Sequence, residues 1–203
     1  MVTHPLWRPY TPSANAERQA ERIAHRQAQP GPLHVSRASG WETRYRVVEQ
    51  LVRVTIPDQV LQLRHVGSTA VNGLLAKPVL DVDLVVPAVA DEPAYLPRLE
   101  AVGFRLIFRD EVGGDAHRQL TFEVPNTNLH VWSPGATEPQ RHAVFLAWLR
   151  GHAEDRERYA AVKRLAAAGD GSRYNDLKSE VVYDIYERAF LADPSYPHDP
   201  QPR

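Results

Sequence analysis

The 203-residue chain has no cysteine and a single methionine. Without thiols there is no disulfide staple, no zinc thiolate centre and no cysteine nucleophile. Long apolar runs are also missing. Nothing approaches the roughly 18 apolar residues of a membrane span, and Met1–Tyr10 carries His, Pro and Arg where a secretory signal would be apolar. The expectation is a soluble, cytoplasmic protein with no membrane partner. Net charge is nearly absent, 24 basic against 25 acidic residues leaving −1. That balance speaks against a surface gripping nucleic acid as a whole, without excluding a local basic pocket. Lysine is scarce: Lys77, Lys163 and Lys178 stand among 21 arginines. Codon bias accounts for the arginines. The three exceptions mark positions suited to a compact ammonium instead of a planar fork.

Proline, by contrast, is abundant and uneven, with five of seventeen in the first 32 residues and four in the last ten. The length suits one domain of about 150 residues with decorations. The reading is an N-terminal arm, 1–34, with a short helix at about 14–27. A domain follows at 35–191, its core at about 41–135 and C-terminal helices at about 138–191. Residues 192–203 form a flexible, Pro-rich tail.

Within the core, Tyr45, Val48, Leu51, Val52 and Thr55 fall on one face of a helix over 41–55. Strands are expected at 60–66, 78–86 and 104–109, a helix at 94–101 and a polar loop at 111–115. A hairpin joins 119–124 to 129–133 through Pro-Asn-Thr-Asn. Helices at 138–151, 154–168 and 172–191 complete the chain, with a turn at 169–171 and Ser172 as the last cap. This is an α/β pattern of the α+β type, a mixed β-sheet core with flanking helices and a helical C-terminal part. If Val124 pairs with Leu129, Glu123 lies opposite His130 on one side of the sheet. A one-residue slip would separate them.

The chemistry concentrates between His65 and Asp83. A strand ends at Gly67-Ser68, where glycine lets backbone approach a phosphate closely. Ser68 and Thr69 add hydroxyls. Asp81 and Asp83 lie two apart on an apolar strand and share a face. Paired carboxylates there call for a cation, and hard oxygen ligands favour Mg²⁺ or Mn²⁺. Metal, phosphate cradle and serine together equip a site for attack on a nucleotide α-phosphate. Lys77 precedes proline in extended chain and either contacts phosphate or pairs with Asp81 or Asp83. His65 orients the loop, contacts the base or is a buried structural histidine. Tyr159-x₃-Lys163 and Tyr174-x₃-Lys178 each share a helical face. Those lysines either aim at an anionic ligand or cover apolar surface with their stems. Arg141 and Arg150 are further phosphate candidates.

At these residues the chain resembles the nucleotidyltransferase superfamily of DNA polymerase β-like fold, whose pattern is Gly-Ser, a short helix, then Asp-x-Asp or Asp-x-Glu. More closely it resembles the GrpB family, in the segment His65-Val-Gly-Ser-Thr-Ala-Val-Asn-Gly-Leu74 and in Ala76-Lys77-Pro78-Val-Leu-Asp81. The likeness continues through Leu129-His130-Val131, Arg141-His142, Phe145, Trp148-Leu149-Arg150, Tyr159, Lys163, Tyr174 and Lys178, covering roughly 35–190. Asn72 stands where that family usually has proline. The superfamily resemblance implies a third carboxylate on a neighbouring strand, while GrpB-like sequences offer the histidine matched by His130. Either Glu123 completes the metal site or His130 alters it. The resemblance implies a nucleotide ligand, a nucleoside triphosphate, held with Mg²⁺ or Mn²⁺. Asp81, Asp83 and Ser68 would be catalytic. His65, Gly67, Ser68, Thr69, Lys77, His130, Arg141, Lys163 and Lys178 would hold nucleotide and phosphate, and Asp81, Asp83 and Glu123 the metal. The candidate activity is metal-dependent nucleotidyl transfer to an acceptor the sequence does not name. The alternative is a non-catalytic nucleotide- or anion-binding module with a regulatory or accessory role. GrpB-like domains also occur fused to dephospho-CoA kinase, implying a link to nucleotide or coenzyme metabolism, but this chain has no Gly-x₄-Gly-Lys-Ser/Thr loop.

Overall fold

A computed structural model describes residues 1–10, 21–28, 31, 34–35, 38–168 and 174–202. They divide into two compact units, Gln19–Pro139 and Met1–Arg18 with Gln140–Arg203. The first begins with two short strands, β1 (Glu21–Arg22) and β2 (His34–Val35). The helix α1 (Ala38–Thr55) leads into β3 (Gln62–Val66), a short 3-10 turn at Ser68–Ala70, β4 (Leu75–Ala76) and β5 (Leu80–Val85). Next come α2 (Glu92–Ala101), β6 (Arg105–Val112), β7 (Asp115–Phe122) and β8 (Thr127–Trp132). A six-stranded sheet runs in the order β1-β6-β7-β8-β5-β3, and β2 pairs with β4 apart from it. Among the described strands β5 and β8 run parallel, and the other pairs are antiparallel.

Apolar spacing builds this unit. Trp41, Tyr45, Val48, Val52 and Ile56 recur every three or four residues, so α1 presents one stripe and the sheet covers it. Leu80, Val82 and Leu84 of β5, Leu129 and Val131 of β8, and Tyr95 and Leu99 of α2 close the same core. Each fully buried aliphatic side chain contributes about 1.5–3 kcal/mol. β5 has neighbours on both edges and runs through this core, so its two aspartates sit on an apolar, central strand.

Three expectations about this unit change. Glu21–Arg22 is a strand, not the end of a helix, because its backbone pairs with Arg109 and Phe108 of β6. Of the rest of the helix expected at 14–27, residues 14–20 lie outside the described residues, and 23–27 are not helical. The hairpin register also differs. Phe122 pairs with Thr127 and Gln119 with His130. The ladder closes before Glu123, and 123–126 form the turn. The Val124–Leu129 pairing is therefore overturned, and Glu123 is exposed on the turn, away from His130. The polar run at 111–115 is mostly strand, with the reversal at Gly113-Gly114, where both residues have positive φ.

In the second unit, α3 (Thr137–Gly151) continues from Gln140, and α4 (Ala153–Ala168) packs on α5 (Tyr174–Leu191). Leu146, Leu149, Tyr159, Val181, Ile185 and Phe190 are buried there. Asp155 receives the Trp148 indole N–H at 2.6 Å and the Arg188 guanidinium at 2.5 Å. The Pro-rich segment after α5 lies against the N-terminal residues, with the Asp199 N–H donating to the Val2 carbonyl at 2.9 Å. The expected turn at 169–171 and the Ser172 cap lie outside the described residues.

Candidate functional site

The site forms where the end of β3 meets the start of β5. Val66 pairs with Asp81. Gly67 follows at φ 70° and ψ −167°, a conformation almost confined to glycine. A Cβ built there would lie 2.5 Å from Asp81 Oδ2. Glycine is thus required twice, for its backbone conformation and for the close approach of the carboxylate.

Beyond Gly67 the turn is pinned from within. His65 Nε2 lies 2.9 Å from the Thr69 hydroxyl, which donates to the Val79 carbonyl at 3.3 Å. This contact ties the His65 ring to the loop. The ring stacks on Tyr45 with centroids 5.1 Å apart. Thr69 is buried and engaged in this brace, whereas Ser68 is only half-buried. Lys77 is exposed between β4 and β5.

Asp81 and Asp83 stand at alternate positions of β5, opposite Asn128 and His130 of β8. Asp83 is buried and accepts the Trp132 indole N–H at 3.0 Å. Asp81 is more exposed and accepts the Asn128 amide N–H at 2.7 Å. His130 Nε2 is 3.8 Å from Asp81 Oδ1, and its Nδ1 is 3.1 Å from Nε2 of His117. His117 in turn places Nδ1 2.6 Å from Asp110. This side of the sheet therefore carries a line of four groups, Asp110, His117, His130 and Asp81. Burial pushes the His117 imidazole below its ordinary value, against the opposing effect of its hydrogen bond to the Asp110 carboxylate. A neutral His117 donates through Nδ1 to Asp110 and accepts at Nε2 from His130.

His117 was not legible as a site residue, since its spacing matches no metal motif. The ladder reveals it. With Arg118 opposite Val131, His117 falls opposite Trp132, and the two rings stack at 4.3 Å. Arg26 and Asn128 were missed as well. Arg26 donates to the side-chain oxygens of Asn126 and Asn128.

Among the described residues no three His, Cys, Asp or Glu side chains are grouped to hold a metal ion. Glu123 is away from the pair, the facing residue is an imidazole, and each aspartate already accepts an N–H. This donor set does not fit the oxygen-rich coordination of Mg²⁺.

The other expected ligands belong to the second unit. Lys163 is buried, with its ammonium 4.1 Å from the centre of the Tyr159 ring. That is the shared face expected of Tyr159-x₃-Lys163. Lys178 is half-buried on α5, and the Tyr174 side chain lies outside the described residues. Arg141 donates to the Leu6 carbonyl and stacks over Tyr186 at 4.1 Å. No helix among the described residues is long and apolar enough to cross a membrane.

A family model described as GrpB protein matches residues 34–188. A UPF0157 protein of Halalkalibacterium halodurans is 40% identical over 154 residues, 73% of this chain and 77% of that one. A dephospho-CoA kinase of Mycobacterium bovis is 30% identical over 84% of this chain and 49% of its own length. Among solved structures, the conserved protein GrpB from Enterococcus faecalis matches with a TM-score of 0.61 at 21% identity, covering 76% of this chain and 99% of that one. The MgGTP-bound Cid1 poly(U) polymerase matches with a TM-score of 0.48 at 13% identity, over 66% of this chain and 44% of that one.

Proposed function

The chain belongs to the GrpB family, and from that premise we propose that it binds the phosphate-bearing part of a nucleotide, a nucleoside triphosphate, without transferring a nucleotidyl group. The observation carrying this reading is the residue opposite Asp83 on β8. It is His130, tied to His117, where transfer chemistry would want a carboxylate. Gly67 brings backbone close to Asp81 at a strand end, and Ser68 stands beside it, half-buried. Such a turn suits close approach of an anionic group. The protein would then serve as a regulatory or accessory module, its partner coupled through the bound nucleotide.

Calorimetry with a panel of nucleoside triphosphates, with and without Mg²⁺, tests this. Binding that persists in a chelator and weakens in Gly67→Ala is expected. No binding by the wild type to any member of the panel overturns it.

A second reading, metal-dependent nucleotidyl transfer, is favoured by one observation: Asp81 and Asp83 share a face of β5 beside Gly67. Binding that requires Mg²⁺ and fails in both Asp81→Asn and Asp83→Asn would move the choice to this reading. So would label transfer from an α-³²P nucleotide.

A further inference from the structure

The described residues of the arm are held beside the candidate site by two anchors. On one side Glu21 and Arg22 pair with Arg109 and Phe108 of β6, and the Ile23 N–H donates to the Ile107 carbonyl at 2.9 Å. On the other, His34 and Val35 pair with Ala76 and Leu75 of β4. Between them Gly31 sits so close to Pro78 that an added Cβ would lie 2.9 Å from its ring. Arg26 stands at the centre. Its Nε donates to the Ala28 carbonyl at 2.9 Å, and its two terminal nitrogens donate to Asn126 and Asn128.

Asn128 joins this arm to the carboxylates. Its side-chain oxygen receives Arg26 and also the Gln119 amide at 3.3 Å. With the oxygen held by these donors, the NH₂ is directed to Asp81 Oδ1, 2.7 Å away. A divalent cation at Asp81 needs oxygen atoms around it. Here it would meet an N–H, with a guanidinium on the far side of the same amide. Both effects oppose a second positive charge. If Arg26 leaves, the Gln119 amide at 3.3 Å is the weaker tie left on that oxygen, and the amide torsion of Asn128, which is broad and nearly two-fold, can bring it toward Asp81.

We infer that residues 21–28 form a strap that keeps divalent cations off Asp81, with Arg26 fastening it through the amide of Asn128. Two residue pairs hold β1 to β6, and so short an edge strand opens at small free-energy cost compared with the core. Arg26 itself lies before residues 34–188, the span of the family match. The inference concerns the same carboxylates as the proposed function but not the nucleotide, so its test uses metal alone.

The experiment is a Mn²⁺ titration of the full chain, with free ion followed by electron paramagnetic resonance. Arg26→Ala is expected to bind Mn²⁺ at least ten-fold more tightly than wild type, and Arg26→Ala/Asp81→Asn to lose that gain. Equal affinity in Arg26→Ala and wild type overturns the strap, as does a gain that survives Asp81→Asn. If Arg26→Ala does not fold, Arg26→Gln, which keeps bulk and polarity but not the charge, takes its place under the same outcomes.

Discussion

At the scale of single residues, the site depends on what each side chain leaves room for. Gly67 is the strictest case, because a methyl there meets the Asp81 carboxylate at 2.5 Å and the backbone conformation is nearly glycine-only. Gly67→Ala is expected to cost about 1–3 kcal/mol, read as a lowered urea midpoint. His117 supplies a pH signature. Its folded pKa lies below the ordinary histidine value of about 6.5, so the unfolded chain binds more protons as pH falls past that value. Stability from this residue is complete above about 6.5 and lost as pH falls below it toward the folded pKa, with a slope of at most about 1.4 kcal/mol per pH unit. Urea melts from pH 7.5 to 5 are expected to show this loss in wild type and a flatter profile in His117→Phe, whose ring can still stack on Trp132. Trp132→Phe probes the other aspartate. It removes the indole donor to buried Asp83, and a loss of about 1–3 kcal/mol is expected from the carboxylate left short of that bond.

At the scale of elements, periodicity decided most of what was legible. The spacing of Tyr45, Val48, Leu51 and Val52 places α1 within three residues at its start, and the β-branched run around Asp81 places β5. The same spacing predicts which positions carry weight. Ile56, fully buried just beyond α1, is expected to cost about 2–5 kcal/mol as Ile56→Ala. Val54→Ala, on the exposed face, should change stability by about 0.5 kcal/mol or less. Chemical denaturation of the two variants checks both figures. The β7–β8 hairpin was legible as a pair of strands but not in register. Apolar alternation in 119–124 fits two registers equally well, and the choice was made by the turn, which takes Glu123 to Asn126 out of the ladder. Because a slip changes every cross-strand pair, that turn removed Glu123 from the site and brought His117 and Gln119 into it.

At the scale of the whole molecule, the segments beyond the family match have their own chemistry. In the second unit Glu187 of α5 accepts the Trp7 indole N–H at 2.6 Å, and its other oxygen lies 3.2 Å from both His198 Nε2 and the Gln201 backbone N–H. His4 stacks on Phe190 at 4.3 Å and reaches Asp193 at 3.3 Å. One carboxylate thus gathers the two ends of the chain. Glu187→Ala is expected to cost at least about 1.5–3 kcal/mol for the charged hydrogen bond alone, measured by thermal melting followed on tryptophan fluorescence. The sequence by itself determined the alternation of helices and strands, the apolar stripe of α1, and the order of His65, Gly67-Ser68, Asp81 and Asp83, because each is a local pattern a few residues long. Only the tertiary structure decided what stands around Asp81. His130, His117, Asn128 and Arg26 come from separate elements, and their meeting depends on strand register and on the path of the arm, which are long-range pairings that no local spacing encodes.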